Sequence, residues 1–368
     1  MTRAGGAGRP DKASPRHSPR PRAASGEHPD PWLQALDPAL LRAVDAALAG
    51  QPAGAAIGVA LSAGADSAML AAHVAGVARR RGLRLHCFHI HHGLQAEADD
   101  WQARAHRLAD LLDAGCHSRR VAVDVDGRGM EAAARDARYA ALAELAVHAG
   151  VGHVLLAHHQ DDQAETVLLR LLRGTGPSGL AAMRPVTERN GLVWIRPWLD
   201  QPRSAILDCA RRFETLTGWR PADDPSNADG RYARGALRAR LAPVLDERWP
   251  AWRRNLARHA AQAGELSDWV EAAAQDDWLG LDPSPDGRDF SLAAWRALPA
   301  PRQVQVLRHW LGILGLRMPT EARLRAWLRQ LREVHALGHD RSVQLRHEGV
   351  WIVVRRGRVC CLWKTRVE

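Results

Sequence analysis

The apolar segment Ala56–Leu61 runs into Ser62-Ala63-Gly64-Ala65-Asp66-Ser67 before a second apolar segment begins. A strand that turns this way into a helix aims backbone N–H groups and the positive end of the helix at one point, which is where a phosphate binds. A Walker loop would add a lysine for the β- and γ-phosphates, and none stands here. The Ser62 and Ser67 hydroxyls and the Asp66 carboxylate suit a diphosphate held by amides and hydroxyls, with Asp66 carrying Mg2+ against the phosphate charge. Plain capping of a helix by Ser and Asp would use the same residues.

A second constellation, His158-His159-Gln160-Asp161-Asp162-Gln163-Ala164-Glu165, follows the strand-like His153–Ala157. Its acidic first turn marks a helix start. Asp162 and Glu165, three apart, share one helix face, with His158 just ahead of it. The grouping suits a metal, a cap or acid/base work, although a zinc site would need a third soft donor.

The elements that must position these groups are legible as an alternation. Candidate strands are Ala56–Leu61, Leu85–Ile90, Arg120–Val123, Val154–Ala157 and Val193–Ile195; the helices between them include Ser67–Arg80, Ala98–Leu112, Glu131–Val147 and Asp162–Arg173. Such alternation predicts an α/β fold with a mostly parallel, Rossmann-like sheet over residues 31–230. Residues 1–30, rich in Pro, Gly, Ser and Arg, read as a disordered basic tail. Residues 231–281 read as a helical, Arg-rich region that contacts RNA, with Trp249, Trp252 and Trp269 expected in a core. After the Asp282–Gly287 turn, residues 282–368 predict a small α+β domain that binds the tRNA substrate: helices Pro301–Leu314 and Thr320–Val334, then two strands about a Glu348-Gly349 turn.

The 368 residues carry 51 Lys+Arg against 41 Asp+Glu, a formal charge of +10. That balance suits a polyanionic partner such as nucleic acid. Only Lys12 and Lys364 are lysines, so an arginine-favouring coding bias accounts for it equally. The five cysteines form no C-x-x-C, which fits reduced thiols in a cytoplasmic protein. No run approaches the roughly 18 apolar residues of a membrane span, so no membrane partner is expected. No motif specifies an oligomeric state.

"LSAGADS" (Leu61–Ser67) resembles the S-G-G-x-D-S diphosphate loop of the N-type ATP pyrophosphatases, or PP-loop family. Four further stretches narrow the resemblance to the tRNA(Ile)-lysidine synthetases: "HIHHGLQAEADDW" (His89–Trp101), "EAAARDARY" (Glu131–Tyr139), "AHHQDDQAETVLLRLLRGTGPSGLAAM" (Ala157–Met183) and "DPSNADGRYARGALR" (Asp224–Arg238). Gln303–Val359 is similar, more weakly, to the helical middle domain of longer members of that family. The resemblance implies a ligase that adenylates the C2 oxygen of the wobble cytidine in an isoleucine tRNA with a CAU anticodon. Free L-lysine then displaces AMP to give lysidine.

The resemblance assigns ATP to Ser62, Ala63, Gly64, Ala65, Asp66 and Ser67, and Mg2+ to Asp66 and Asp162. It gives the phosphate to Arg135 and His158, and the lysine ammonium to Glu165. It places RNA against Arg170 and Arg173, in "RLLRGTGPSGL", and against Arg231, Arg234 and Arg238. Ordinary exposed arginines on a connection and a helix face are the plainer reading of those five. The sequence departs from the family pattern twice, at Ala63 for a loop glycine and Gly235 for an asparagine. Alanine is tolerated at 63 if its φ is negative and its methyl misses the phosphate; otherwise nucleotide affinity suffers. Two other functions use the same residues: thiolation of a tRNA base, which needs a persulfide cysteine or cluster, and RNA binding without catalysis.

Overall fold

The computed structural model describes residues 30–91, 93, 97–121, 130–223, 233–334 and 343–363. The tail up to residue 29, the Asp224–Tyr232 stretch and with it Arg231 lie outside the described residues.

Six strands, β1 (Ala56–Ala60), β2 (Arg84–His91), β3 (Gly115–Arg120), β4 (His153–Leu155), β5 (Val186–Arg189) and β6 (Leu192–Ile195), form one sheet in the order β3-β2-β1-β4-β6-β5. Every pair is parallel except the β5–β6 hairpin. Helices α1 (Pro38–Ala47), α2 (Ala65–Arg81), α3 (Ala98–Leu111), α4 (Met130–His148), α5 (Gln160–Leu172), α6 (Pro177–Leu180) and α7 (Arg203–Thr217) connect or cover it. The expected Rossmann-like sheet is thus present.

Helix α2 is buried on every side from Ser67 to Ala78, because it lies between β1 and the pair α1 and α7. Its small residues let those elements approach, and Gly82 in the left-handed conformation (φ 66°) ends it. Gly58 at the centre of β1 has a packing reason too: a Cβ there would stand 2.4 Å from the Phe88 ring of β2.

Two expectations are corrected. The third strand runs over Gly115–Arg120 and stops before Val121, so it begins upstream of the expected Arg120–Val123, whose Ala122 and Val123 lie outside the described residues. It pairs with β2 at the sheet edge and is half-buried to exposed after Gly115, so it carries no apolar run, and the apolar residues just after it misdirect the reading. Of the three tryptophans expected in a core, Trp252 is buried, but Trp249 is 60% and Trp269 70% exposed.

Helix α8 (Ala233–Ala236) passes through a π-helical turn, Leu237–Leu241, into α9 (Ala242–Arg248), and α10 (Trp252–Leu279) follows. The chain divides into two compact units between Ala261 and Gln262, inside α10. In the second unit β7 (Asp289–Ser291), β8 (Gln344–His347), β9 (Val350–Arg355) and β10 (Arg358–Trp363) form an antiparallel sheet in the order β7-β10-β9-β8. Helices α11 (Leu292–Ala297), α12 (Ala300–Ile313) and α13 (Glu321–Glu333) complete it. Trp295, Trp310, Phe290 and Ile352 fill its core. Glu348 and Gly349, at φ 46° and 84°, make the tight β8–β9 turn with both central residues left-handed. This is the expected small α+β module.

Candidate active site

Strand order reverses between β1 and β4, and ligands of open α/β sheets bind at the carboxyl ends of strands at such a point. Both sequence constellations arrive there. The Ser62–Ser67 loop leaves β1 and begins α2 at Ala65; His158 and His159 follow β4, and α5 begins at Gln160. Two helix N-termini therefore serve one place, and both favour anions.

The loop is held by its own hydroxyls. The Ser62 and Ser67 Oγ atoms lie 3.0 Å apart, the Ser62 N–H donates to Ser67 Oγ (3.1 Å), and Ser67 Oγ donates to the Gly64 carbonyl (3.1 Å). Ala63 is fully buried with φ +67°, so the condition set for tolerating alanine is not met. The loop adopts the left-handed shape a glycine would take, and the methyl is accommodated in the core instead.

A cavity of about 390 Å³ opens beside this loop. Leu61, Phe88 and Ile90 give it an apolar side, and Ser62, Gly64, Asp66, Asp162, Arg138, Tyr139 and His158 a polar one. That size and mixture suit a nucleotide. Within it the buried Tyr139 hydroxyl and His158 Nδ1 have no hydrogen-bond partner among the described residues. Burial, then the charges of Arg196, Arg135, Arg138 and Arg234, hold the His158 pKa well below the usual histidine value. His158 is therefore a neutral imidazole, a hydrogen-bonding group and not the cation the phosphate role first suggests. Arg135 is exposed and stacks on the Tyr139 ring at 5.3 Å; Arg138, three residues on, lines the cavity.

The carboxylates form a connected set. The buried His159 caps α5, taking the Asp162 N–H on Nδ1 (3.4 Å) while its own N–H donates to Asp162 Oδ2 (3.3 Å). Its Nε2 lies 3.3 Å from Asp162 and 3.8 Å from Asp66, so carboxylates from two elements converge on one ring. Glu165, 5% exposed, takes both arms of Arg238 at 2.6 and 2.9 Å, and the same guanidinium is 3.5 Å from Asp162. Burial opposes the Arg238 charge, but Glu165, Asp162 and Asp66 outweigh it and raise its pKa above the usual arginine value. Asp66 is gripped by Arg203 through Nε (3.3 Å) and Nη2 (3.2 Å).

Among the described residues no group of three or more His, Cys, Asp or Glu is placed to hold a metal ion. Two converging carboxylates beside a phosphate loop still suit Mg2+, which binds through one or two carboxylates and takes its other ligands from substrate phosphates and water.

The arginines expected to meet RNA separate by environment. Arg170 donates to the carbonyls of Gly179 (2.8 Å) and Ala182 (3.0 Å), clamping the loop after α5, whereas Arg173 is exposed at the α5 C-cap. A Cβ at Gly179 would meet Thr175 Oγ1 at 1.7 Å, so any larger residue there forces the Thr175 side chain to shift. Arg234 donates to Thr166 (3.0 Å), and Arg238 is turned to the carboxylates. Sequence reasoning missed Arg203, Arg138 and the capping role of His159; the doubled histidine before an acidic turn was the available signal for the last. Cys87 and Cys116 face one another across β2 and β3, with burial raising both thiols, Cys116 to about 12, and neither lines the cavity.

The PP-loop domain family matches residues 39–245, and the family described as the TilS substrate binding domain matches residues 290–360. Among curated relatives, the tRNA(Ile)-lysidine synthase of Bordetella bronchiseptica is 54% identical over 334 residues, 90% of this chain and 97% of its own. That of Ralstonia nicotianae is 46% identical over 285 residues, 77% of this chain and 60% of its own. Among solved structures, the U34-tRNA thiolase NcsA from Methanococcus maripaludis with its 4Fe-4S cluster matches at a TM-score of 0.51 and 15% identity. The match covers 64% of this chain and 79% of that one, a likeness of fold.

Proposed function

The chain belongs to the PP-loop domain family and within it to the tRNA(Ile)-lysidine synthases, and from that premise we propose how its residues divide the work. It is an ATP-dependent ligase that forms a carbon–nitrogen bond on tRNA(Ile). No helix among the described residues is long and apolar enough to cross a membrane. The finer reading is that the acceptor is the wobble cytidine of the CAU-anticodon tRNA, that the second substrate is free L-lysine, and that Mg2+ accompanies ATP.

In that reading the Ser62–Ser67 loop amides and hydroxyls hold the diphosphate end of ATP. Asp66 and Asp162 would hold Mg2+, which neutralises phosphate charge. Arg138, in place of the expected Arg135, and neutral His158 face the α-phosphate, where charge builds as the C2 oxygen of cytidine attacks. The bond from the α-phosphorus to the bridging oxygen breaks and diphosphate leaves; the amine then attacks C2 and AMP leaves.

The amine arrives protonated. With a pKa near 10.4, about one lysine in a thousand is neutral near pH 7.4, a penalty of about 4 kcal/mol. Glu165 binds the ammonium and, with water excluded, takes its proton. The observation that carries this assignment is the Glu165–Asp162 pair gripping the Arg238 guanidinium. The buried Glu165 already holds one cation, and the lysine ammonium would take the place of Arg238 there. Arg173, Arg231 and Arg234 remain the arginines proposed for RNA phosphates.

The test combines protein, Mg-ATP and unmodified tRNA(Ile) with and without L-lysine. Release of AMP and diphosphate with lysine entering the RNA is expected, and Asp66→Asn should abolish adenylation while sparing tRNA binding. Production of ADP and orthophosphate, or sulfur entering the RNA instead of lysine, refutes the reading.

A further inference from the structure

Arg203 stands outside every motif in the sequence, yet its guanidinium forks onto both oxygens of Asp66 at 3.3 and 3.2 Å, across 137 residues of chain. Its backbone is fixed: it is the first residue of α7, after Pro202, and its N–H donates to Asp161 Oδ2 (3.1 Å). Asp161 is itself engaged by Arg253 Nε (2.9 Å). The side chain is reachable from solvent, since the ion pair is partly exposed on both sides, at 42% for Arg203 and 26% for Asp66. The fork is bidentate, so Asp66 gives it up only to a partner that offers two oxygens in its place, as a phosphate does.

We propose that Arg203 exchanges Asp66 for the diphosphate portion of ATP and becomes the cation that holds the leaving group. The inference rests on the reading that Asp66 serves Mg-ATP. An aspartate that passes to a metal releases its guanidinium, and Asp161, the neighbouring carboxylate, is already engaged. The partner that arrives with the metal is the β,γ-phosphate pair at the Ser62–Ser67 loop, the loop that leads into Asp66. When the C2 oxygen attacks, the electron pair of the broken bond stays on the bridging oxygen, and diphosphate departs with that added negative charge. A guanidinium stabilises it without proton transfer, because arginine stays charged and its planar fork matches two phosphate oxygens.

The exchange predicts effects of opposite sign in Arg203→Gln, each measurable without turnover. Mn2+ binding in the absence of nucleotide, read from the free-ion electron paramagnetic resonance signal, should tighten about twofold to threefold because a competing cation is gone. Binding of Mg-diphosphate and of Mg-ATP, read by calorimetry, should weaken at least about tenfold. Arg203→Lys, which keeps the charge and loses the fork, should fall between Gln and the parent for both ligands. Weakening of Mn2+ and diphosphate together in both variants would show a merely structural arginine, and unchanged diphosphate binding would remove it from the leaving group; either overturns the proposal. The reading beneath it fails separately, if Asp66→Asn binds Mn2+ as the parent does.

Discussion

Ala63 gives the sharpest test of the phosphate loop, because its backbone and side chain pull in opposite directions. At φ +67° a residue with a Cβ pays about 1–2 kcal/mol relative to ordinary backbone. Glycine at 63 removes that strain. It also removes a fully buried methyl, worth about 0.8 kcal/mol, and adds freedom to the unfolded chain worth about 0.4–1 kcal/mol. The contributions cancel, so Ala63→Gly should change the free energy of unfolding by less than about 1 kcal/mol. Ala72, equally buried but in the middle of α2, carries no strain to relieve. Ala72→Gly loses the methyl and the helix preference together and should cost about 2 kcal/mol. Urea unfolding of the two variants beside the parent measures the contrast. ATP affinity of Ala63→Gly should stay within about threefold of the parent, since backbone amides and the Ser62 and Ser67 hydroxyls are retained. If Ala63→Gly is as costly as Ala72→Gly, the loop is not left-handed at that residue and the account of how it holds a diphosphate fails.

Arg138→Met should lower adenylation, followed by diphosphate release, by about a hundredfold or more, whereas Arg135→Met should lose less than about fivefold; equal losses would refute the assignment of the cavity-lining arginine. Arg238→Met leaves the buried Glu165 without its cation and should cost about 2 kcal/mol of stability, reduced for the partial exposure of Arg238. Thermal unfolding with added L-lysine should recover part of that loss and L-norleucine none, and identical curves with the two would count against an ammonium site at Glu165. His73 is buried neutral, its pKa pushed down to about 4 by burial, with Nδ1–H donating to the Met69 carbonyl (2.7 Å) and Nε2 accepting the Asp37 N–H (3.0 Å). Between about pH 6.5 and pH 4 the unfolded chain binds the proton and the folded protein does not, so this group's contribution to stability falls as pH falls, by up to about 3 kcal/mol. Unfolding free energies across that window should fall less steeply in His73→Gln than in the parent, and equal slopes would contradict the neutral ring.

What the sequence exposes and what it hides separate by range. Ser62, Asp66, Asp162 and Glu165 are legible because each lies within a few residues of a strand end or helix start, so local rules place them. The alternation of strands and helices likewise reveals the parallel sheet, except at β3, where an edge strand needs no apolar run. Arg135 and Arg138 cannot be told apart by motif, since both lie on one short stretch of α4, and only the folded cavity, which Arg138 lines and Arg135 does not, separates them. The pairings that dominate the site, Arg203 with Asp66 and Arg238 with Glu165, join residues 137 and 73 apart and exist only through the topology.

Those pairings also change the meaning of the net charge of +10, which by itself suggests only a polyanionic surface partner. Asp66 and Glu165 each hold an arginine supplied from α7 or from the π turn after α8, and the neighbouring Asp162 lies 3.5 Å from the second of these. Each carboxylate is also proposed for an incoming cation, Mg2+ at Asp66 and the lysine ammonium at Glu165. On that proposal, filling the site would displace guanidinium groups instead of adding charge to empty space. Such an exchange would couple cation binding to anion binding, and it would require arginine, whose charge persists while its fork refits from carboxylate to phosphate.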